Sequence, residues 1–196
     1  MSQGLARAAS IAGHPLPVLS LTLLALARHE GADPSGLVGI GAGLAVFAAV
    51  VLGYSWWRVR QGHWRHVDAS QAAERQHLNR FLLGLLLAAA AVAALAGLPL
   101  LALRLALAGL LVLVALLLAR WCKPSLHLAF AVYAAALLAI AWPAAAITML
   151  AFAAVLAWSR LRLARHAPRD LVAGFWAGAL AGVLARMVPL LPGWQG

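Results

Sequence analysis

Residues 126–158 form an apolar run that carries no charged side chain. As one helix this run would be about 50 Å long, whereas a membrane's hydrocarbon core is about 30 Å thick. Pro143 lies near its middle, and proline interrupts a helix because it lacks the backbone N–H and clashes with the preceding turn. The run therefore predicts two helices joined near Pro143, one crossing the membrane in each direction.

Composition supports a membrane protein throughout. Hydrophobic residues make up 65% of the chain and charged residues 10%, against roughly 25% charged in soluble domains. So few charges exclude an ordinary soluble globule or a disordered tail, and the single Cys122 excludes a framework of intrachain disulfides.

Further crossings are predicted at 37–57, 81–97, 98–119 and 171–188, with a short first helix at 15–27. We therefore expect one all-α domain, 1–196: a polytopic transmembrane helix bundle of six crossings plus the short first helix. The N-terminus is expected to be that first membrane segment and not a removed signal peptide.

The polar residues collect in three connections, 58–80, 120–125 and 159–170. Two crossings separate each connection from the next, so all three are predicted to emerge on one face of the membrane. They hold 11 of the 15 basic residues, namely Arg58, Arg60, Arg65, Arg75, Arg80, Arg120, Lys123, Arg160, Arg162, Arg165 and Arg169. The positive-inside rule makes this face cytoplasmic. The opposite orientation stays open, because arginines that serve chemistry would not report orientation.

The third connection contains a candidate catalytic group. His166 and Asp170 are four residues apart, so on a continuous helix they would share a face and could hydrogen-bond. A carboxylate that fixes one imidazole nitrogen leaves the other available as a base or nucleophile. Pro168 suits the first turn of a following helix, and the planar guanidinium of Arg160 suits phosphate. The plainer interpretation is a set of membrane-edge arginines with an interfacial histidine and a capping aspartate.

The second connection leads into a candidate anion site. Pro124 and Ser125 are typical of the entry and N-cap of a helix that begins at Leu126. The N–H groups of that first turn can bind an anion, and His127 lies where it could donate a proton. The alternative is a capped transmembrane helix whose histidine reaches the interface.

Together these motifs resemble the type-2 phosphatidic acid phosphatase family, relatives of the vanadium haloperoxidases. The family's third signature, Ser-Arg, five residues, His, three residues, Asp, is matched in full. Its second, Pro-Ser-Gly-His, is matched with Leu in place of Gly; its first, Lys, six residues, Arg-Pro, is matched only at the Arg. The matching residues, in that order, are Ser159, Arg160, His166 and Asp170; Pro124, Ser125, Leu126 and His127; and Arg75, with Asp68 at the Lys position and Gln76 at the Pro position.

The resemblance implies a lipid phosphatase that acts on a phosphate monoester or diphosphate, such as phosphatidate, phosphatidylglycerol phosphate or a polyprenyl phosphate. His166 would form a phosphohistidine, Asp170 would orient it, and His127 would protonate the leaving oxygen. The phosphate would be held by Arg75, Ser125 and Arg160, with Lys123 or Arg80 supplying the cation lost at Asp68. No metal or other cofactor is implied.

The departures at Asp68 and Leu126 keep a second hypothesis open: a catalytically impaired relative that binds lipid phosphates as a membrane scaffold. A small transporter is a third hypothesis, although transporters place their charges near the midplane of the membrane.

His63, His66 and His77 lack the further ligands of a typical metal site.

The expected partners are a phosphorylated lipid substrate and membrane lipids, and not nucleic acid. Gly174, Gly178 and Gly182 form a close-packing stripe that serves either the bundle itself or a homo-oligomer. The expected location is a bacterial inner membrane.

Overall fold

A computed structural model describes residues 3–66 and 71–191. Within these ranges the chain is an all-α bundle without a β-strand, as predicted. Its helices are α1 (Gln3–Ala12), α2 (Pro15–His29), α3 (Pro34–Arg60), α4 (Ala72–Leu95), α5 (Pro99–Leu117), α6 (Leu126–Leu138), α7 (Pro143–Arg162) and α8 (Pro168–Met187). Single 3-10 turns extend α5 through Leu118–Arg120 and α8 through Val188–Leu190.

The helix lengths fit an integral membrane protein. Among the described residues, α3, α4, α5, α7 and α8 are each long and apolar enough to cross a membrane, and α1 with α2 passes as one span bent by 46°. The short first helix of the prediction is thus the second half of a longer, broken segment. In contrast α6, counted as a full crossing in the prediction, has 13 residues. At 1.5 Å per residue it is about 20 Å long, so it is a short helix inside the bundle.

Proline sets many of the helix starts. Pro15, Pro34, Pro99, Pro143 and Pro168 each open a helix, where the missing N–H removes no intrahelical bond. The predicted division of 126–158 is confirmed, since α6 ends at Leu138 and α7 begins at Pro143.

The helix α4 begins well before the predicted crossing at 81–97. Its start at Ala72 follows from the carboxylate of Glu74, which accepts the N–H of Gln71 at 2.9 Å. This contact satisfies one of the N–H groups that a helix start leaves open. The polar segment before residue 81 is therefore helical, and it places Arg75 in the first turn of α4.

The central helix α6 packs against the glycine stripe of α8. A Cβ added at Gly174 would lie 2.7 Å from the carbonyl oxygen of Ser125, and one at Gly178 would lie 2.3 Å from that of Ala129. At Gly182 the added atom would lie 2.2 Å from the Cβ of Ala136. The stripe therefore serves packing within the bundle. Association into a homo-oligomer stays a prediction, and α6 already covers the glycine face in the bundle.

We expect Gly178→Ala to destabilise the bundle, because its Cβ would force α6 and α8 apart; comparable overpacking costs about 1–3 kcal/mol. Thermal unfolding in detergent should show a lower midpoint than in wild type. Gly84→Ala in α4 is the matched control, since nothing lies within 4 Å of the added Cβ and alanine favours the helix. An equal midpoint for Gly178→Ala and wild type would contradict the packing assigned to the stripe.

The far end of α2 is fixed to the bundle by an ion pair between the buried Arg104 and the exposed Glu30. The guanidinium of Arg104, in α5, forms a two-pronged contact with the carboxylate of Glu30, and one prong measures 2.9 Å. The Tyr133 hydroxyl of α6 donates to the carbonyl oxygen of Arg104 at 3.0 Å. These contacts join α2, α5 and α6. The ring of His29, in the last turn of α2, also meets that of Trp142, which follows α6, with centroids 5.0 Å apart, so the start of α2 lies at the same end as the start of α6.

Candidate functional site

The second and third polar connections meet at one end of the bundle. The backbone N–H of Ser125 donates to the carbonyl oxygen of Asp170 at 3.0 Å, and the ammonium of Lys123 donates to that of Arg165 at 3.1 Å. The first connection approaches the same place through Arg75, whose charge acts on Lys123. The described residues of the three connections therefore lie at one end of the bundle, and that this end is one face of the membrane stays a prediction. Asp68, the unusual residue of the first connection, lies outside them.

A left-handed residue turns the chain after α7. Ala164 has φ of +51°, a region that glycine usually fills at helix ends. The N–H of Arg165 then donates to the carbonyl oxygen of Arg160 at 3.0 Å. This turn ends α7 and directs His166 back towards the second connection.

A backbone carbonyl orients His166. The imidazole Nδ1 lies 3.1 Å from the carbonyl oxygen of Lys123. A carbonyl oxygen can only accept, so Nδ1 must carry the hydrogen. The neutral imidazole then has its lone pair on Nε2, which is the arrangement that a nucleophile or base requires.

The hydrogen bond predicted between His166 and Asp170 is not formed. Nδ1 of His166 lies 3.7 Å from the Asp170 carboxylate, beyond hydrogen-bonding distance. His166 precedes the helix, which begins at Pro168 as predicted, so the four-residue helical spacing does not apply. The carboxylate instead accepts the N–H groups of Lys123 and Ala167, each at 2.9 Å. Asp170 thus acts on the orientation of His166 by holding Lys123, and directly only through its charge.

Burial and nearby cations keep His166 neutral. Burial, followed by the charges of Lys123 and Arg160, lowers the pKa of His166 to about 4. Because the ordinary value is 6.5, the neutral form predominates at every pH above about 4. The pKa of the Lys123 ammonium is also lowered, first by burial and then by the charge of Arg75.

We expect Lys123→Gln to raise the pKa of His166 from about 4 towards 6.5. Lys123 and Arg160 both lower this pKa through their positive charges, and Lys123 has the larger effect. The titration of the His166 ring should be followed by NMR in nanodiscs, with the signal assigned by its loss in His166→Gln. Lys123→Arg keeps the charge and should leave the midpoint near the wild-type value. An unshifted midpoint in Lys123→Gln would contradict the electrostatic role of Lys123.

The start of α6 has the features of an anion site. Ser125 is its N-cap, as predicted, but the serine side chain does not cap the helix. The hydroxyl is fully buried and has no hydrogen-bond partner within the described part of the chain. A buried polar group without a partner is costly. A bound anion would supply an acceptor here, beside the N–H groups of the helix start.

Arg160 and His127 lie against this helix start. Arg160 is in the last turn of α7 and only 3% exposed. It interacts electrostatically with His127, His166 and Lys123. The neighbouring Ser159, which is fully buried, donates its hydroxyl to the carbonyl oxygen of Ala6 at 2.6 Å. The first residue of the Ser-Arg motif therefore fixes α1 to α7 beside Arg160.

His14 is a site residue that the sequence motifs did not indicate. It is the N-cap of α2, and its ring meets that of His127 edge to face, with centroids 5.5 Å apart. The only local signal was the Gly13-His14-Pro15 helix break. That break does not predict which distant residue packs against the His14 ring.

The predicted site residues are thus brought together by four helix ends and two connections. They are Arg75, Lys123, Ser125, His127, Arg160, His166 and Asp170, with His14 in addition. In the described ranges, no group of three or more His, Cys, Asp or Glu residues has an arrangement that could hold a metal ion.

Comparison with known proteins finds no matching family model, no match among curated proteins and none among solved structures. The resemblance to the phosphatase family thus rests on the motif residues of the sequence alone.

Proposed function

We propose that this protein is a membrane phosphatase that hydrolyses a phosphate monoester or diphosphate of a lipid, without a metal, through a phosphohistidine at His166. The observation that carries the proposal is the contact from Nδ1 of His166 to the carbonyl oxygen of Lys123. It leaves the Nε2 lone pair available beside the positive charges of Lys123 and Arg160. A nucleophile among fixed cations suits phosphoryl transfer, which depends mostly on positioning and charge neutralisation.

In the first step the Nε2 lone pair attacks phosphorus, and the bond from phosphorus to the ester oxygen breaks. The electron pair of that bond stays on the ester oxygen, which takes a proton from His127 and leaves as the alcohol. In the free site, burial and then the charge of Arg160 lower the pKa of His127, so the donated proton is one that the monoanionic phosphate brings into the site and passes to His127. In the second step a water oxygen attacks phosphorus while neutral His127 accepts the water proton. The bond from phosphorus to Nε2 breaks, its electron pair returns to nitrogen, and inorganic phosphate leaves. Arg160, Arg75 and the Ser125 hydroxyl are assigned to the phosphoryl oxygens.

An apolar groove beside the site supports a lipid substrate over a soluble one. It has a volume of about 290 Å³, and its lining includes Ala12, Pro17, Leu21, Leu138 and Phe152. Ala12 and Pro17 flank His14 in sequence, so the groove begins next to the polar site and follows α2 away from it. An acyl or isoprenoid chain could lie there while its phosphate reaches the histidines.

The purified protein should be tested in mixed micelles with phosphatidate, phosphatidylglycerol phosphate, a polyprenyl phosphate and a polyprenyl diphosphate. Release of inorganic phosphate is measured, and glycerol phosphate serves as the substrate without a tail. We expect release from at least one lipid and much slower release from glycerol phosphate. Failure to cleave any of the lipids would contradict the proposal.

The second candidate function is binding of a lipid phosphate without turnover. It is favoured by the geometry of Asp170, which bonds to backbone N–H groups instead of His166. It predicts saturable binding of the lipids in this panel, no phosphate release, and binding that survives His166→Ala.

We also propose that the site faces the cytoplasm across a bacterial inner membrane, on the basis of the charge bias of the three connections. Cys122, half-buried in the second connection, is the only cysteine of the chain and reports on that face. A membrane-impermeant maleimide should label it in inverted vesicles and not in intact spheroplasts. Detergent-solubilised protein controls for access to the thiol. Labelling in intact spheroplasts would reverse the orientation.

A further inference from the structure

The N-terminal helices bring a third histidine to the site. Ser159 fixes α1 to α7 next to Arg160, and Gly13 packs so closely that an added Cβ would lie 2.3 Å from Leu156. At its other end α2 is fixed by the pair of Glu30 with Arg104. The start of α2, with His14, is therefore held in place from both sides.

The His14 ring has a defined orientation. Its Nδ1 accepts the backbone N–H of Leu16 at 3.3 Å, so this nitrogen carries no hydrogen and the neutral ring has its hydrogen on Nε2. The ring lies edge to face with His127, at an interplanar angle of 83°. This is a favoured geometry for two aromatic rings.

We propose that His14 is a positioning residue that holds the ring of His127 in the orientation for proton donation to the leaving oxygen. This inference rests on the proposed function for its catalytic consequence. The contact matters because a proton donor must lie within hydrogen-bonding reach of the atom that it protonates. His127, in the first turn of α6, depends on its neighbours for a fixed ring orientation.

Two substitutions separate positioning from helix capping. His14→Phe keeps an aromatic ring against His127 and loses the cap on Leu16, whereas His14→Asn keeps a capping side chain and loses the ring. If His14 positions His127, His14→Asn should be the more damaging change. If it only caps α2, the order should be reversed.

The kinetic test compares a long-chain alkyl phosphate with an alkyl-tailed nitrophenyl phosphate of similar length. The nitrophenolate leaves without needing a proton, so its release does not depend on His127. We expect His14→Asn to lower kcat about tenfold or more on the alkyl phosphate, with little change in KM. It should leave the rate of the pre-steady-state burst of nitrophenolate nearly unchanged, because that burst precedes the activation of water by His127. His14→Phe should stay within about threefold of wild type in both measurements. Equal losses in both measurements in His14→Asn, or greater damage from His14→Phe, would overturn the proposal.

Ring NMR of His127 in nanodiscs gives a readout that does not require turnover. The ¹⁵N signals of this ring should move in His14→Asn and stay close to wild type in His14→Phe. Unchanged signals in His14→Asn would overturn the positioning role. If wild type hydrolyses no substrate while these signals respond as expected, the proposed function fails and the contact between the histidines stands.

Discussion

His166→Ala is expected to lower phosphate release from the best lipid substrate by at least about a thousandfold. The substitution removes the attacking Nε2, and loss of a nucleophile is among the largest single effects in enzymes. The alanine variant should still bind the lipid, because Arg75, Ser125 and Arg160 remain. The measurement is the initial rate of phosphate release at saturating lipid, with binding followed separately.

His77→Ala is the matched control for this variant. His77 is exposed on α4, towards the same end of the bundle, and its ring contacts the carbonyl oxygen of Ala73 in its own helix. We expect its turnover to match wild type. Retention of more than about a tenth of the activity in His166→Ala would contradict the covalent mechanism, since the general acid and the cations alone cannot replace the nucleophile.

Arg160→Gln is expected to lower kcat/KM by about a hundredfold or more. A donor aimed at developing negative charge is worth about that factor, and arginines that contact a transferring phosphoryl group can be worth more. Arg160 is buried near Lys123 and His166, where charges interact more strongly than in water. Steady-state kinetics on the same lipid check the effect, and Arg160→Lys, which lacks the planar fork, should recover only part of the loss.

The control for Arg160 is Arg162→Gln, which makes the same charge change two residues further along α7 at an exposed position. It should stay within about twofold of wild type, because exposed charges interact weakly through solvent. Thermal unfolding distinguishes a folding defect from a chemical one. An unfolding midpoint of Arg160→Gln equal to that of wild type would assign the kinetic loss to the site. Equal kinetics for the two variants would contradict the role given to Arg160.

Features that depend on the local chain were predictable from the sequence. Proline at a helix start, a serine before α6 and four-residue glycine spacing each act through their own backbone or helix face. These features therefore predicted the helix break near Pro143, the N-cap position at Ser125 and the glycine stripe that packs α8 against α6. The meeting of the three connections at one end followed from the alternating direction of successive helices. This alternation includes α6, although α6 is too short to be the full crossing that the prediction counted.

Contacts that depend on backbone groups or distant packing were not predictable in this way. The carbonyl of Lys123 orients His166, and a residue's type says nothing about where its carbonyl points. Asp170 was expected to bond to the histidine, although its position three residues after Ala167 also fits a helix-capping role. His14 reaches His127 because α2 packs along α6, and no local pattern encodes that contact.

The most direct test of the account is trapping of the phosphoenzyme. Wild-type protein turning over a lipid labelled in its phosphate is quenched in alkali, which preserves phosphohistidine, and the modified peptide is mapped by mass spectrometry. The account predicts one phosphate on Nε2 of His166, because Nδ1 is held by the carbonyl of Lys123, and no label in His166→Ala. Steady phosphate release with no label at residue 166, or a label on Nδ1 of that ring, would contradict it.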